Sequence, residues 1–372
     1  VTSPPGLAAA WPGSRALITD TRAPALDLDE CVGQRQATFR FALSDAVSGE
    51  VLGEIHPIRD ASLSHDTGST TKRQLSLSLG KADTAAVNAL TDRVEPFMVF
   101  PNLTNPDHPS GDWPLGRYMW VDNPRRFTTS GRLAQPQLSD EMFLVDQAIL
   151  TGLSGVGVGV VAVLLDVLAG LPITFDLEPS PFTSADSWGI GVTRGQILET
   201  LSVAGDWWSP WFDNNGVLRF RRTFDPATQV ADIDLDAGFR VFQDSIVESD
   251  ELLTAPNTIV VISNNAGDSS TPVVGIATVP VNAPNSVPNR GFAIPAVFDL
   301  QLSDANQAAA VAQGLAQRQG IFEQVQLSTP PDPRHDSYNV IRWQGSNWLE
   351  LGWSMPLVEG AAMSHSLRRS YR

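Results

Sequence analysis

The stretch Gly195–Arg222, GQILETLSVAGDWWSPWFDNNGVLRFRR, carries a helix, an aromatic connection and a hairpin in direct succession. Thr193, just ahead of it, and Gln196 form a T-x-x-Q capping box, whose side chains satisfy amide groups that a helix start leaves open. Ile197, Leu198, Leu201 and Ala204 follow on one face, and Gly205 closes the helix. Asn215-Gly216, set between an aromatic run and an alternating one, is a hairpin turn because both central residues of such a turn need positive φ. Its strands are expected at Trp208–Phe212 and Val217–Arg221. Helix beside hairpin makes this an α+β segment.

Working back from it, LPITFDLEPSPF (171–182) reads as a Pro-marked strand and loop. The apolar run Ile149–Leu171 is long enough to span a bilayer. Asp166 inside it, its glycines and the lack of basic or aromatic anchors favour a buried helix instead. That helix is expected over about Val156–Ala169, with Val160, Val163, Leu164, Val167 and Leu168 inward. Further upstream the pattern is β. Phe39, Phe41 and Leu43 alternate with polar residues, as do Leu75, Leu77 and Leu79. Glu95–Phe100 and Arg117–Val121 add strands, and a helix from Asp83 to Arg93, capped by Asp83, interrupts them. NLTNPDHPSGDWP is a surface connection.

Downstream the chain is again β-dominated. Strands are expected at Thr258–Ser263, Ile276–Val281, Asn339–Trp343 and Asn347–Trp353. One helix, Asp304–Gln319, is capped by Ser303 and closed by Gly320, and its Ala/Gln content suits a face packed closely on a sheet. The fold class is therefore α+β, β-dominated. Four parts follow: an arm at 1–29, a β domain at 30–145, a middle α+β segment at 146–225, and a C-terminal β domain at 226–372 holding helix 304–319.

The chain has 372 residues, ample for sizeable cores without a covalent staple. One cysteine, Cys31, excludes an internal disulfide framework and a cysteine-built zinc site. A net charge of −16 argues against general nucleic-acid binding, which needs a basic face. Lysine occurs only at Lys72 and Lys81, so arginine carries nearly all the positive charge. The opening VTSPPGLAAAWPG lacks a basic region and a continuous apolar core, so no signal peptide is expected.

The chemical motifs weaken on inspection. Gly157, Gly159 and Ala162 fit G-x-G-x-x-A, with Asp176 or Glu178 as the ribose acid, but no convincing strand precedes them and no βα units follow. The histidines (His56, His65, His108, His335 and His365) show no metal-ligand spacing and read as solvated loop or turn residues. Ser64-His65-Asp66 and His335-Asp336-Ser337 place triad residue types side by side, yet a triad is assembled in space from distant segments. Asp232, Asp234 and Asp236 in DIDLDAG resemble a calcium loop, but its sixth and twelfth places hold Ala237 and Gln243. Alternation puts these aspartates on the wet face of a strand, with Ile233 and Leu235 inside. Trp207, Trp208 and Trp211 are either buried anchors, exposed stacking platforms, or part of a subunit contact. No catalytic, cofactor-binding or metal residues are assigned, and no enzymatic role is expected.

The helix-plus-hairpin Gly195–Arg222 resembles the middle segment of tail hub proteins of tailed bacteriophages. APNTIVVISNN, NAPNSVPNRGFAIP and SDANQAAAVAQGLAQRQ look similar to the portion that follows it in those proteins. WLELGWSMPLVEGAAMSHSLRR is like the terminal strands of minor tail proteins from phages of actinobacteria. The resemblance covers Gly195 onward by residues, and the first domain by arrangement alone. It implies a structural virion protein at the tail tip, a homotrimer in which two tube-like β domains per subunit form a pseudo-sixfold ring. Its implied partners are the distal tail protein, the tape measure protein and other minor tail or fibre proteins, with DNA only as transiting cargo and no stable membrane insertion. The wall hydrolase that many relatives carry after the hub would then belong to another protein.

The alternative is a tip protein that acts on cell-wall glycan or binds a receptor, which would need two facing carboxylates or surface tryptophans. A DNA passage must not adhere to phosphate, so a hub lumen is expected to be acidic or neutral polar, with Asp and Glu outnumbering Arg. Arg125, Arg126, Arg221 and Arg222 are then expected at subunit or neighbour contacts, paired with carboxylates.

Overall fold

The computed structural model describes residues 37–370 apart from 102–103, 106, 109, 123–124, 129–130, 237–240, 243–244, 251–253, 264–271, 282, 303 and 320. The arm at 1–29, Cys31, Ser303 and Gly320 lie outside the described residues, as do Ala237 and Gln243. The first part supplies β1 (Thr38–Asp45), β2 (Val51–Ile55), β3 (Arg59–Asp66), β4 (Arg73–Ser78), α1 (Lys81–Ala86), β5 (Asp92–Val99), β6 (Tyr118–Asp122) and β7 (Gln137–Asp140). The middle supplies α2 (Val160–Leu168), β8 (Thr174–Leu177), α3 (Arg194–Gly205), β9 (Trp211–Phe212) and β10 (Val217–Phe220). The last part supplies β11 (Val247–Asp250), β12 (Thr258–Ser263), β13 (Val273–Thr278), β14 (Pro295–Asp299), α4 (Ala305–Gln319), β15 (Ile321–Thr329), β16 (Val340–Trp343), β17 (Ser346–Pro356) and β18 (Met363–Ser370). The fold is β-dominated α+β.

Among the described residues one 14-stranded sheet joins the first and last parts, in the order β11-β15-β18-β17-β3-β4-β7-β6-β5-β1-β2, with β16 on β17 off this path. The seam is the antiparallel pair β3–β17, where His65 faces Trp353 and Leu63 faces Met355. Period-two alternation gives this sheet two distinct faces. Leu63, Leu75, Leu138, Met355 and Met363 are buried on one. Ser64, Gln74, Ser76, Gln137 and Ser364 are exposed on the other.

A second core lies beside this sheet. Val160, Val163, Leu164, Val167 and Leu168 of α2 are buried there, the five positions that helical spacing selects. No helix among the described residues is long and apolar enough to cross a membrane. The α3 capping box forms as expected, and Asp206 ends the helix in the left-handed region at φ 60°. The same core takes in Ile259 and Val261 of β12 and Ala308, Val311, Ala312 and Leu315 of α4. Helix α4 thus packs on the small sheet β13-β12-β14 and shares a core with the middle helices, rather than with the C-terminal part of the large sheet. Its alanines allow a very close approach: a Cβ on Gly275 of β13 would sit 2.1 Å from the Ala308 carbonyl oxygen.

Three boundaries differ from expectation for local reasons. The helix at 83–93 stops at Ala86, and Gly80 rather than Asp83 caps it. The Asp92 carboxylate accepts the Asn88 N–H, and the Asn88 side chain accepts the Leu90 N–H, a turn that competes with the helix. The apolar helix starts at Val160, because Gly157 at φ 73° makes a turn and Gly159 is the cap. The first hairpin strand shrinks to Trp211–Phe212, since Pro210 has no N–H for a ladder.

Candidate functional site

Ionisable groups concentrate at the β3–β17 seam. Across the buried face runs the row Leu327–His365–Trp353–His65–Arg73, set by the registers of β15, β18, β17, β3 and β4. A β-bulge between Glu350 and Gly352 brings Glu350 onto the face of Trp353, three residues on, where strict alternation would oppose them. The loop between β15 and β16 delivers His335, Asp336 and Ser337.

Three of the five histidines are therefore buried, contrary to the solvated role expected from sequence. The Glu350 carboxylate lies 2.7 Å from His335 Nδ1 through one oxygen and 2.7 Å from His365 Nδ1 through the other. His365 Nε2 is 2.8 Å from the Thr329 hydroxyl, which in turn donates to the Pro330 carbonyl at 2.9 Å. Burial acts to raise the Glu350 carboxyl, but the His335 charge and the hydrogen bonds of both rings outweigh it and hold the group at about 2. Burial works against charge on His335, yet Glu350 raises it above the ordinary value. Burial and the neighbouring His335 both lower His365. His56 is exposed, and His108 is tied to Ser110.

The two Ser/His/Asp triplets meet in space without making a triad. His65 Nε2 is 2.6 Å from Ser337 Oγ, but His65 Nδ1 has no hydrogen-bond partner among the described residues. A triad base is oriented by an acid at that nitrogen. Burial, and then Arg73, hold His65 well below its ordinary value.

Arg73 ties three segments together. It pairs with Asp336, donates to Asn214 Oδ1 at 2.6 Å and lies over the Trp353 ring. Asn214 donates onward to the carbonyls of Pro333 and His335. The Asp140 carboxylate accepts the Arg73 and Met142 amides. Burial pushes Asp140 up to about 6 despite those bonds and the Arg73 and Lys72 charges. The unfolded carboxyl ionises near 3.8, so stability is expected to fall as pH rises from about 4 to 6 and to stay lower above that. Urea titrations of wild type and Asp140→Asn check this: the variant is expected to lack that part of the slope.

The remaining sequence candidates are absorbed by structure. Asp176 pairs with Arg219 and Arg221. Asp232 accepts the Val340 amide, and Asp236 those of Gln344 and Gly345, so these aspartates cap backbone instead of forming an ion cage. Trp207, Trp208 and Trp211 are buried. Trp208 stacks on Tyr338 with centroids 4.6 Å apart, which docks the middle hairpin on the C-terminal part. Arg221 and Arg222 pair within the chain, with Asp176 and Asp206, which answers their need for carboxylates without a neighbour. The side chains of Arg125 and Arg126 lie outside the described residues. On the Ser/Gln face, a groove of about 750 Å³ is bordered by Ser64, Asp66, Gln326, Ser364 and Arg368. Among the described residues of its lining Asp66 is the one carboxylate, where glycoside hydrolysis uses two.

No family model matches the chain, and no curated protein matches its sequence. Solved structures do. The 43 kDa tail protein of prophage MuSo2 from Shewanella oneidensis superposes with a TM-score of 0.57 at 11% identity, over 89% of this chain and 98% of that one. The tail protein from Neisseria meningitidis MC58 gives 0.56 at 11% identity, over 88% and 96%. Prophage tail protein gp18 from Listeria monocytogenes EGD-e gives 0.51 at 9% identity, over 88% and 94%. At such identities the likeness is one of fold, and the fold of this chain is that of phage tail proteins.

Proposed function

We propose that this chain is a structural hub protein of a bacteriophage tail tip. As a homotrimer it closes or continues the distal end of the tube and connects it to distal tail, tape measure and fibre proteins. The observation that carries this reading is the extent of the fold likeness, which takes in 94–98% of three tail proteins and 88–89% of this chain. The actinobacterial host rests on the resemblance of residues 348–369 alone.

In this reading the first part (30–145) and the strands of the C-terminal part are the two tube-like β domains. The middle segment, with α4 and its small sheet, is the lateral insertion. Support for assembly comes from the surface. Strands β2 and β11 are the two ends of the large sheet's main path, and no strand among the described residues pairs with their outer edges. On the small sheet, Ile276 and Val297 flank Val260 in one cross-strand row and are 63% and 60% exposed, an apolar surface suited to cover by protein. The Ser/Gln face suits a passage for DNA, since neutral hydroxyls and amides release no counterions from phosphate.

Light scattering of the purified chain is expected to give a trimer, and Ile276→Asp with Val297→Asp to shift it toward monomer. Antibody to the chain is expected to label the tail tip in virion micrographs. A monomer at all concentrations, together with label elsewhere or none, would sink the hub reading.

A further inference from the structure

The cluster at the seam does more than fill a core. His335, Glu350 and His365 each offer a ligand atom, these atoms lie within 4.8 Å of one another, and all three side chains are buried. Two imidazoles and a carboxylate form a donor set of the kind that holds zinc and similar first-row ions.

The Thr329 hydroxyl has one hydrogen, which it donates to the Pro330 carbonyl, leaving its oxygen to accept at the 2.8 Å contact with His365 Nε2. Both contacts are satisfied only when His365 Nε2 carries a hydrogen and donates to Thr329 Oγ1. A neutral His365 then presents a bare Nδ1 lone pair to a Glu350 oxygen 2.7 Å away. Two lone pairs at that distance require a cation between them, either a proton, which makes His365 an imidazolium, or a metal ion. His335 turns its Nδ1 to the same carboxylate at 2.7 Å, and its own Nε2 finds no hydrogen-bond partner among the described residues. Protons on both Nδ1 atoms would satisfy the two contacts as hydrogen bonds to the two carboxylate oxygens; a metal ion would take up the same convergence of two nitrogens and a carboxylate.

We propose that His335 Nδ1, His365 Nδ1 and a Glu350 oxygen bind one divalent transition-metal ion, with Zn²⁺ the best chemical match. Thr329 is its outer-shell partner, fixing the His365 tautomer from the far side of the ring as such partners do. Ligands on a tetrahedral ion with bonds of about 2.0–2.1 Å sit about 3.3 Å apart, so the three groups open by about 0.6 Å to admit it. Water takes the fourth position. This site is not legible in the sequence because its ligands come from a loop and two strands, and a bulge aims one of them.

The test uses the full chain, refolded from denaturant with one equivalent of Zn²⁺ or Co²⁺ because the site is buried. The expected result is one ion retained per chain after desalting, with visible d–d bands of four-coordinate Co²⁺ that Zn²⁺ displaces. His335→Gln and His365→Gln should each abolish the bands, His56→Gln and His108→Gln should keep them, and Thr329→Val should weaken Zn²⁺ binding about tenfold. Where a ligand variant fails to fold, X-ray absorption fine structure of the zinc form of the wild type decides, with two imidazoles and carboxylate oxygen expected. Folded wild-type protein that retains no ion would show the cation to be a proton and overturn the proposal. So would bands that survive both histidine changes, or a shell of sulfur or of oxygen alone.

Discussion

Gly275→Val is expected to yield no folded protein, and Gly275→Ala to lose about 3 kcal/mol or more in urea unfolding. The obstacle is backbone: a Cβ there would lie 2.1 Å from the Ala308 carbonyl oxygen and 2.3 Å from its carbon. A side chain could swing away, but these atoms belong to the ladder of α4, whose Ala308, Val311 and Ala312 are buried in the second core. Relief would mean lifting the whole helix and exposing that apolar row to water. Gly53→Ala in β2 is the control, because no described residue lies within 4 Å of its Cβ, and it should stay within about 0.5 kcal/mol of wild type.

Arg73→Met should cost about 3 kcal/mol, measured in the same way. The guanidinium is buried, so its removal leaves the Asp336 carboxylate and Asn214 Oδ1 without the donor they share at the seam. Asp336 keeps some contact with solvent, which places the loss at the lower end of what breaking a buried pair costs. Arg222→Ala tests the contrast. That side chain is 47% exposed beside Asp206, and solvent screening should hold its loss under about 1 kcal/mol.

What could be read from the sequence was whatever local chemistry dictates. The capping box of α3, the five inward residues of α2 and the limits of β12 follow from spacing within a few residues, and the structure reproduces them. The helix expected at 83–93 failed for an equally local reason that competed with periodicity, the carboxylate and amide turn at Asn88 and Asp92. The seam was invisible for a different reason. Nothing in RDASLSHD identifies WSMP as its neighbour, and the burial of His65 follows from that partner rather than from its own flanks. The Glu350 bulge reverses the alternation on which a strand reading depends. Likewise, Gly275 resembles any strand glycine until α4 is laid on it.

The pairing of β3 with β17 also sets a schedule for the ribosome. His65 meets Trp353 about 290 residues later, which at ~5–20 residues per second means about 15–60 s of synthesis before β3 finds its second partner. Until then the nascent first sheet has an open edge, and a growing chain with such an edge is prone to pair with its siblings. Contacts of such sequence separation also slow the final closure, because loop entropy is lost before the contacts form. Yield from expression should therefore depend on temperature and chaperone supply more than the equilibrium stability of the finished protein would suggest. A nascent chain arrested after β7 should bind a holdase until the C-terminal strands are supplied.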